Sequence, residues 1–340
     1  MDHSEATQIV ELLYRYCLKR DPATQERETW ANVLEGGVPV SKIIEEFGSC
    51  AEFKQANGVE PSHGAKAFFP LGHYYSPIVN PDDDVRQYML SQAQRVGVSP
   101  YGIDMMVDRM KQFFMQNGLF MATANFSSDQ NDHQRYYFNN GGYPLGDAVT
   151  LRAMINHLKP NRIIEVGSGF STACMLDTLD EISLRARITC IEPDPERLRN
   201  LLRPNDDVEI IESPVQKVDL KQFSELGSGD ILFIDSTHVM KTGSDVHFEL
   251  FEILPRLREG VIVHFHDILY PFEYPTEWVF ERNFSWNEAY AIRSFLMYNE
   301  TFRPYFSSSL MVQYERGLVD SLYPGFPSNP GTNIWIKKER

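Results

Sequence analysis

The sequence lacks the marks of several large protein classes. Its four cysteines, Cys17, Cys50, Cys174 and Cys190, include no C-x-x-C or similarly spaced pair. That excludes a cysteine-built zinc site and, in a chain of 340 residues, a disulfide framework; reduced, mostly buried thiols are expected. Basic residues are scarce, 32 Lys and Arg against 47 Asp and Glu, and the resulting net charge of -15 repels phosphate backbones and anionic membrane surfaces. A nucleic-acid partner is therefore disfavoured. No apolar run reaches the roughly 18 residues of a membrane span, and the opening MDHSEATQ has neither the charged n-region nor the apolar h-region of a signal peptide. The expectation is a cytoplasmic protein without a membrane span. Apolar and aromatic residues, in contrast, are plentiful at 42% and 12%, enough for a sizeable core, and the length suits a main domain with an appendage.

Residues 1–60 read as a small helical domain. Ser4 is placed to cap a helix with Ile9, Leu12, Leu13, Tyr16 and Cys17 on one face and Pro22 beyond its end. A second helix, about Gln25 to Leu34, stops at Gly36-Gly37, and Ser49 with Glu52 forms a capping box for a last short helix. Residues 61–140 read as a helical and loop region that connects and covers. In it HYYSPIVNPDDD suits an ordered loop, a helix from Ile103 to Gln116 turns Met106, Met110, Phe113 and Phe114 inward, and SSDQNDHQ is a polar linker.

From residue 141 to 340 the rhythm becomes alternating helices and short apolar strands. Strands are predicted at 162–166, 187–192, 208–212, 230–235 and 260–266, the pattern of a parallel sheet covered on both faces. PYFSSSLMVQY and TNIWIKK read as two strands joined without a helix, hence an antiparallel pair. The first strand runs into a glycine turn, RIIEVGSGFST. There Gly167 and Gly169 allow a tight bend and close approach to a ligand, and the amides opening the next helix can face an anion. A dinucleotide fingerprint needs a third glycine at position 172, which is Thr172. Glu165 precedes the turn by two residues, and Glu192 ends strand two, where a carboxylate can take both hydroxyls of a ribose. These features point to a nucleotide-like cofactor other than NAD.

With these motifs, residues 135 to 338 resemble the class I S-adenosylmethionine-dependent methyltransferases. HYYSPI, RIIEVGSGFST, FIDSTHVMKTGSD, VHFHDILYPFEYP and WNEAY are similar to a bacterial subgroup associated with glycan and polysaccharide biosynthesis. LLYRYCLKRDPATQERETWANVLEGG with CAEFK resembles a short helical domain of unknown function that accompanies bacterial surface-polysaccharide proteins. The resemblance implies a Rossmann-like α/β fold, a seven-stranded doubly wound sheet closed by a C-terminal antiparallel strand pair. It implies S-adenosyl-L-methionine as cofactor and O-methylation of a sugar or glycosylated small molecule. It further implies that Glu165, Gly167, Ser168, Gly169 and Ser171 line the methionine and ribose part of the cofactor, with Glu192 on the ribose, Val215 and Gln216 toward the adenine, and Asp235 among the cofactor residues.

In such a sheet ligands sit beyond the carboxyl ends of the strands. Strands four and five end in FIDSTH and VHFHD, so Asp235, His238, His266 and Asp267 should converge at one rim. Two roles are open to this cluster. O-methylation needs a base for the acceptor hydroxyl, which His238, or failing it His266, can supply beside Asp235. Alternatively or additionally, Asp235, His266 and Asp267 hold a divalent cation such as Mg²⁺, although His266 stands where metal-using relatives offer an oxygen ligand. His264 reads as a hydrogen-bonded core histidine. YPFEYPTEW and SWNEAY supply aromatic and amide side chains for an acceptor pocket, and Tyr143 and Asp147 are placed to close over the cofactor. Rival readings are an iron-dependent hydroxylase-like enzyme on the same fold and a non-catalytic module whose N-terminal helices recruit a protein partner or form an oligomer contact.

Overall fold

The computed structural model describes residues 2–49, 69–73, 75–93 and 100–340. They fall into two compact units, Met1–Pro77 and Ile78–Arg340. In the first unit, α1 (His3–Leu13) runs on through a π turn (Tyr14–Leu18) and is followed by α2 (Thr24–Glu35) and α3 (Val40–Ser49). The cap of α1 is Asp2, not Ser4: Asp2 accepts the Glu5 amide and Glu5 reaches back, a complete capping box. The expected inward face is also corrected. Ala6, Val10, Tyr14 and Leu18, spaced by four, are buried, whereas Leu12 and Tyr16 are 51% and 73% exposed. The inner stripe is closed by Ala31 and Leu34 of α2 and by Ile43 and Phe47 of α3, a helix not foreseen. The capping box assigned to Ser49 and Glu52 lies outside the described residues, as does Cys50.

The second unit opens with α4 (Asp83–Ala93) and α5 (Val107–Ala122). Met110, Phe113 and Phe114 face inward as expected, but Met106 is the left-handed residue ahead of the helix and is only half-buried. SSDQNDHQ is not a loose linker. Asn131 Nδ2 donates to Ser127 Oγ at 2.6 Å, Ser127 N to Gln134 Oε1 at 2.7 Å, and Ser127 bridges Tyr137. Tyr136 and α5 share one core with the sheet that follows.

After α6 (Leu145–Leu158) the chain alternates: β1 (Arg162–Val166), α7 (Phe170–Glu181), β2 (Arg187–Ile191), α8 (Glu196–Leu201), β3 (Val208–Ile211), α9 (Lys221–Ser224) and β4 (Ile231–Ile234). Next come α10 (Asp245–Phe248), continued by a π turn (Glu249–Ile253), β5 (Ile262–His266), α11 (Thr276–Phe280) and α12 (Glu288–Leu296). Seven strands order as β3-β2-β1-β4-β5-β7-β6. The first five are parallel, with β7 (Asn333–Lys338) antiparallel to β5 and β6 (Phe302–Ser307) antiparallel to β7. This is the α/β methyltransferase architecture that the motifs imply. β4 is a continuous run of Ile, Leu and Phe, and the residues of β5 are buried throughout, because both faces are covered.

The stretch PYFSSSLMVQY is half strand and half helix. β6 ends at Ser307, and α13 (Ser308–Tyr314) and α14 (Arg316–Leu322) fill the connection that was expected to lack a helix. Leu310 and Met311 are consecutive buried residues, a pattern that a two-residue strand period cannot place on one face and a helix can.

Candidate active site

Strand order reverses between β1 and β4, so the turn after β1 opens beside the end of β4. Gly167 sits there at φ +78°, and a Cβ on it would lie 1.9 Å from the carbonyl oxygen of Asp235. No other residue type permits that approach. The turn and its neighbours enclose a cavity of about 220 Å³ lined by Tyr143, Gly167, Ser168, Glu192, Arg197 and Asp235, among others. Glu192, at the mouth of β2, accepts the Ser168 amide at 3.1 Å and the Asp194 amide at 3.0 Å, which holds its carboxylate at the cavity wall. Ser168 Oγ is buried without a hydrogen-bond partner. A wall with an orphan hydroxyl, a fixed carboxylate and a glycine-thin floor fits a nucleoside cofactor.

Glu165 does not face this cavity. It is fully buried and accepts Ser171 Oγ at 2.5 Å, Thr172 Oγ1 and Cys190 Sγ at 3.4 Å. Burial pushes its carboxyl up to about 7 against the pull of those three donors. Glu165 thus acts in the structure as an internal brace that ties the turn to α7 and does not line the cavity, whereas Gly169 and Ser171 line it as expected, the Ser171 hydroxyl donating to Glu165. Val215 is buried in a 3₁₀ turn (Val215–Lys217), and Gln216 Nε2 donates to Gly243 O at 2.9 Å; neither lines the cavity. Asp147 is likewise turned away. It accepts Thr332 N at 3.0 Å and Asn333 Nδ2 at 2.6 Å, clamping α6 to the start of β7.

Asp235, His238, His266 and Asp267 do meet at one rim. His266 Nδ1 lies 3.3 Å from Asp235 Oδ1 and 3.6 Å from Asp267 Oδ1, its Nε2 lies 3.6 Å from Asp147 Oδ2, and Tyr143 packs on its ring. His238 Nε2 lies 3.5 Å from Asp235 Oδ1 and 3.7 Å from Asp267 Oδ2. Its Nδ1 is 2.8 Å from Glu288 Oε2. Two residues of the rim, His238 at φ +59° and Asp267 at φ +56°, hold left-handed backbone, a strain typical of functional turns. Backbone bonds fix His238 further, since its carbonyl accepts the amides of Asn287 and Glu288 at 3.1 and 3.2 Å.

Charge balance follows from these distances. Burial opposes charge on both histidines, but three carboxylates raise His266 well above an ordinary histidine, and Glu288 with Asp235 and Asp267 raises His238. Asp235, in turn, is kept low against its burial by His266 and His238. His264 differs. It stacks on Phe233 at 3.9 Å and packs at a tilt on Trp335 at 4.5 Å, both ring nitrogens lack partners, and burial drives its pKa well below 6.5. It is a core histidine, without the hydrogen bonds expected of one.

The rim does not fit a metal ion. Among the described residues no group of three or more His, Cys, Asp or Glu is disposed to hold one. Asp235 faces two imidazoles, and Asp267 Oδ1 accepts the Thr332 hydroxyl at 2.6 Å. The cation expected on Asp235, His266 and Asp267 is therefore corrected to an ion-pair network.

Glu288 is the residue that the sequence reading missed. It was in view within SWNEAY, yet nothing in a chain separation of 50 residues announces its contact with His238. The aromatic segments also differ from expectation. Trp286 stacks on Phe284 at 4.3 Å and packs at a tilt against His238 at 4.3 Å, so its ring is engaged by the protein. Beyond the loop from His238 to Gly243, an apolar groove of about 760 Å³ is lined by Met240, Leu250, Phe251, Tyr290 and Phe295.

Residues 164–268 match the family model of a methyltransferase domain. An uncharacterized protein of Archaeoglobus fulgidus is 33% identical over 162 residues, 46% of this chain and 73% of that one. Among solved structures, the S-adenosylhomocysteine-bound Podospora anserina methyltransferase PaMTH1 aligns with 14% identity and a TM-score of 0.39, over 81% of this chain and 100% of that one. The plantazolicin methyltransferase BpumL aligns with 13% identity and a TM-score of 0.42, over 69% and 98%. A putative caffeoyl-CoA O-methyltransferase from Staphylococcus aureus aligns with 14% identity and a TM-score of 0.37, over 76% and 100%. No helix among the described residues is long and apolar enough to cross a membrane.

Proposed function

We propose that this chain, which belongs to one family with the archaeal protein and carries a class I S-adenosylmethionine-dependent methyltransferase domain, transfers a methyl group to a hydroxyl oxygen of a small-molecule acceptor. The observation that carries the reading is the adjacency of two features at the switch point. The cavity at the Gly167 turn, with its Glu192 wall, shares Asp235 with the rim that holds His238. Bound S-adenosylmethionine supplies an electrophilic methyl group.

The chain's own residues do the rest. Glu192 would bind the ribose hydroxyls and Ser168 Oγ a polar group of the cofactor. Asp235 stands at the boundary between the cavity and the rim. His238 Nε2 would take the proton of the acceptor hydroxyl as the oxygen attacks, a role suited to a histidine because it gains and loses a proton near neutral pH. His266, raised by three nearby carboxylates, pairs with Asp235, Asp267 and Asp147 and is not the base. The body of an acceptor larger than its reacting hydroxyl has the adjoining apolar groove to occupy. A sugar or glycosylated acceptor remains part of the reading through the sequence resemblance; the rings of 274–290 that favoured it pack largely on one another.

The test is transfer of labelled methyl from S-adenosylmethionine across a panel of sugars, nucleotide sugars and phenolic hydroxyl compounds, with products located by mass spectrometry. Label on an acceptor oxygen supports the reading, and label confined to nitrogen or carbon acceptors overturns it.

A further inference from the structure

Behind His238, on the side away from the cavity, lie two buried carboxyl groups. Glu288 is 1% and Glu249 0% exposed. Glu288 Oε2 is 2.8 Å from His238 Nδ1, while Glu288 Oε1 has no partner. Glu249 Oε2 accepts only Ser236 Oγ at 3.3 Å, and its Oε1 is unpartnered too. Burial and the nearby Glu288 push the Glu249 carboxyl well above the ordinary carboxylate range. Burial raises the Glu288 carboxyl as well, but His238, 2.8 Å away, pulls it back toward the charged form, a partner that Glu249 lacks. An ionised Glu288 can only accept, and at 2.8 Å from Nδ1, against 3.5 and 3.7 Å from Nε2 to Asp235 and Asp267, it is the carboxylate within hydrogen-bond reach of the ring, so the hydrogen belongs on Nδ1. The imidazole is fixed on its other sides by Trp286 against its face and by the bonds from Asn287 N and Glu288 N to its own carbonyl.

We propose that Glu288 is the positioning residue of this site: by accepting Nδ1–H it fixes the His238 tautomer and ring plane, leaving Nε2 as the free basic nitrogen toward Asp235 and Asp267. The logic is that of any carboxylate–imidazole pair in which the buried acid orients the base and does not itself take the proton. The role rests on His238 being the base, so the experiment separates the two claims.

The full chain labelled with ¹⁵N-histidine is compared with Glu288→Leu and Glu288→Gln, the His238 signals being assigned by their loss in His238→Gln. In the neutral ring of the wild type the hydrogen should sit on Nδ1. Glu288→Leu should move it to Nε2, and Glu288→Gln, whose amide oxygen still accepts, should retain it on Nδ1. Turnover should follow the tautomer: kcat falls by about 10²-fold in Glu288→Leu and less in Glu288→Gln, with S-adenosylhomocysteine affinity unchanged in both. In a His238→Ala background the Glu288→Leu change should cost nothing further, because the two residues act as a unit. Should Glu288→Leu fail to fold, the wild-type and Glu288→Gln spectra still decide the point. A wild-type neutral ring with its hydrogen on Nε2 overturns the proposal, as does an equal loss of kcat in both histidine backgrounds. The ring-nitrogen measurement needs no turnover. A correct tautomer in a protein that methylates no hydroxyl would leave Glu288 in place and remove only the O-methyl reading.

Discussion

Replacing Gly167 by alanine tests the geometry of the cavity floor. A left-handed backbone costs a residue with a Cβ about 1–2 kcal/mol. The new carbon also meets a main-chain oxygen at 1.9 Å, which cannot rotate aside, so the turn or the end of β4 must shift, at a further cost of about 1–3 kcal/mol. Gly243 supplies the control. It has the same left-handed φ, +77°, but no atom lies within 4 Å of an added Cβ, so Gly243→Ala carries the conformational cost alone. For a unit of this size about 1 kcal/mol corresponds to roughly 2–4 °C in Tm. Thermal unfolding should therefore show Gly167→Ala lowered by about 4–20 °C and Gly243→Ala by about 2–8 °C. S-adenosylhomocysteine affinity, read by calorimetry, should fall at least about tenfold in Gly167→Ala alone, a change of about 1.4 kcal/mol. Equal destabilisation of the two variants, or unaltered affinity in Gly167→Ala, would refute the close approach as the reason for glycine.

His238→Ala should lower kcat by about 10²–10⁴-fold with cofactor affinity preserved, and a loss under threefold at saturating acceptor would remove His238 from the chemistry. The wild-type rate should rise with pH through a value above the ordinary histidine range, because Glu288, Asp235 and Asp267 outweigh burial and raise His238; a limb below that range would contradict the charge balance. His264 predicts the opposite sign for stability. Its folded pKa is depressed, so the unfolded chain binds the proton more readily, and stability is complete above about 6.5 and is lost as pH falls below it. His264→Phe should flatten that acid limb in denaturant titrations, and an unchanged limb would show that other groups cause it.

Much of this was legible because it is local. A run such as RIIEV bounded by glycine can only be a buried strand entering a turn, and the ends of β4 and β5 could be set side by side from the strand order that the family resemblance implies. What was not legible depends on contacts between distant positions. Thr172, which removes the dinucleotide fingerprint, turned out to hold Glu165 inside the turn together with Ser171, and spacing alone cannot say which way a carboxylate points. In α1 and the π turn that continues it, aliphatic and aromatic residues occur on both faces, so the stripe Ala6, Val10, Tyr14 and Leu18 is distinguishable only with α2 and α3 covering it. The helices after β6 are hidden in the sequence because the aromatic residues Phe302, Tyr305 and Phe306 ahead of Ser307 favour strand locally, while burial of Leu310 and Met311 decides for helix.

The central claim is that the cavity between the Gly167 turn and Glu192 binds the methyl donor. Calorimetric titration of the wild-type chain with S-adenosylhomocysteine, repeated on Glu192→Ala, measures it without an acceptor. One equivalent should bind the wild type, and the variant should bind at least about tenfold more weakly for want of its ribose partner. No binding to the wild type, or equal binding to both chains, would contradict the assignment of this cavity.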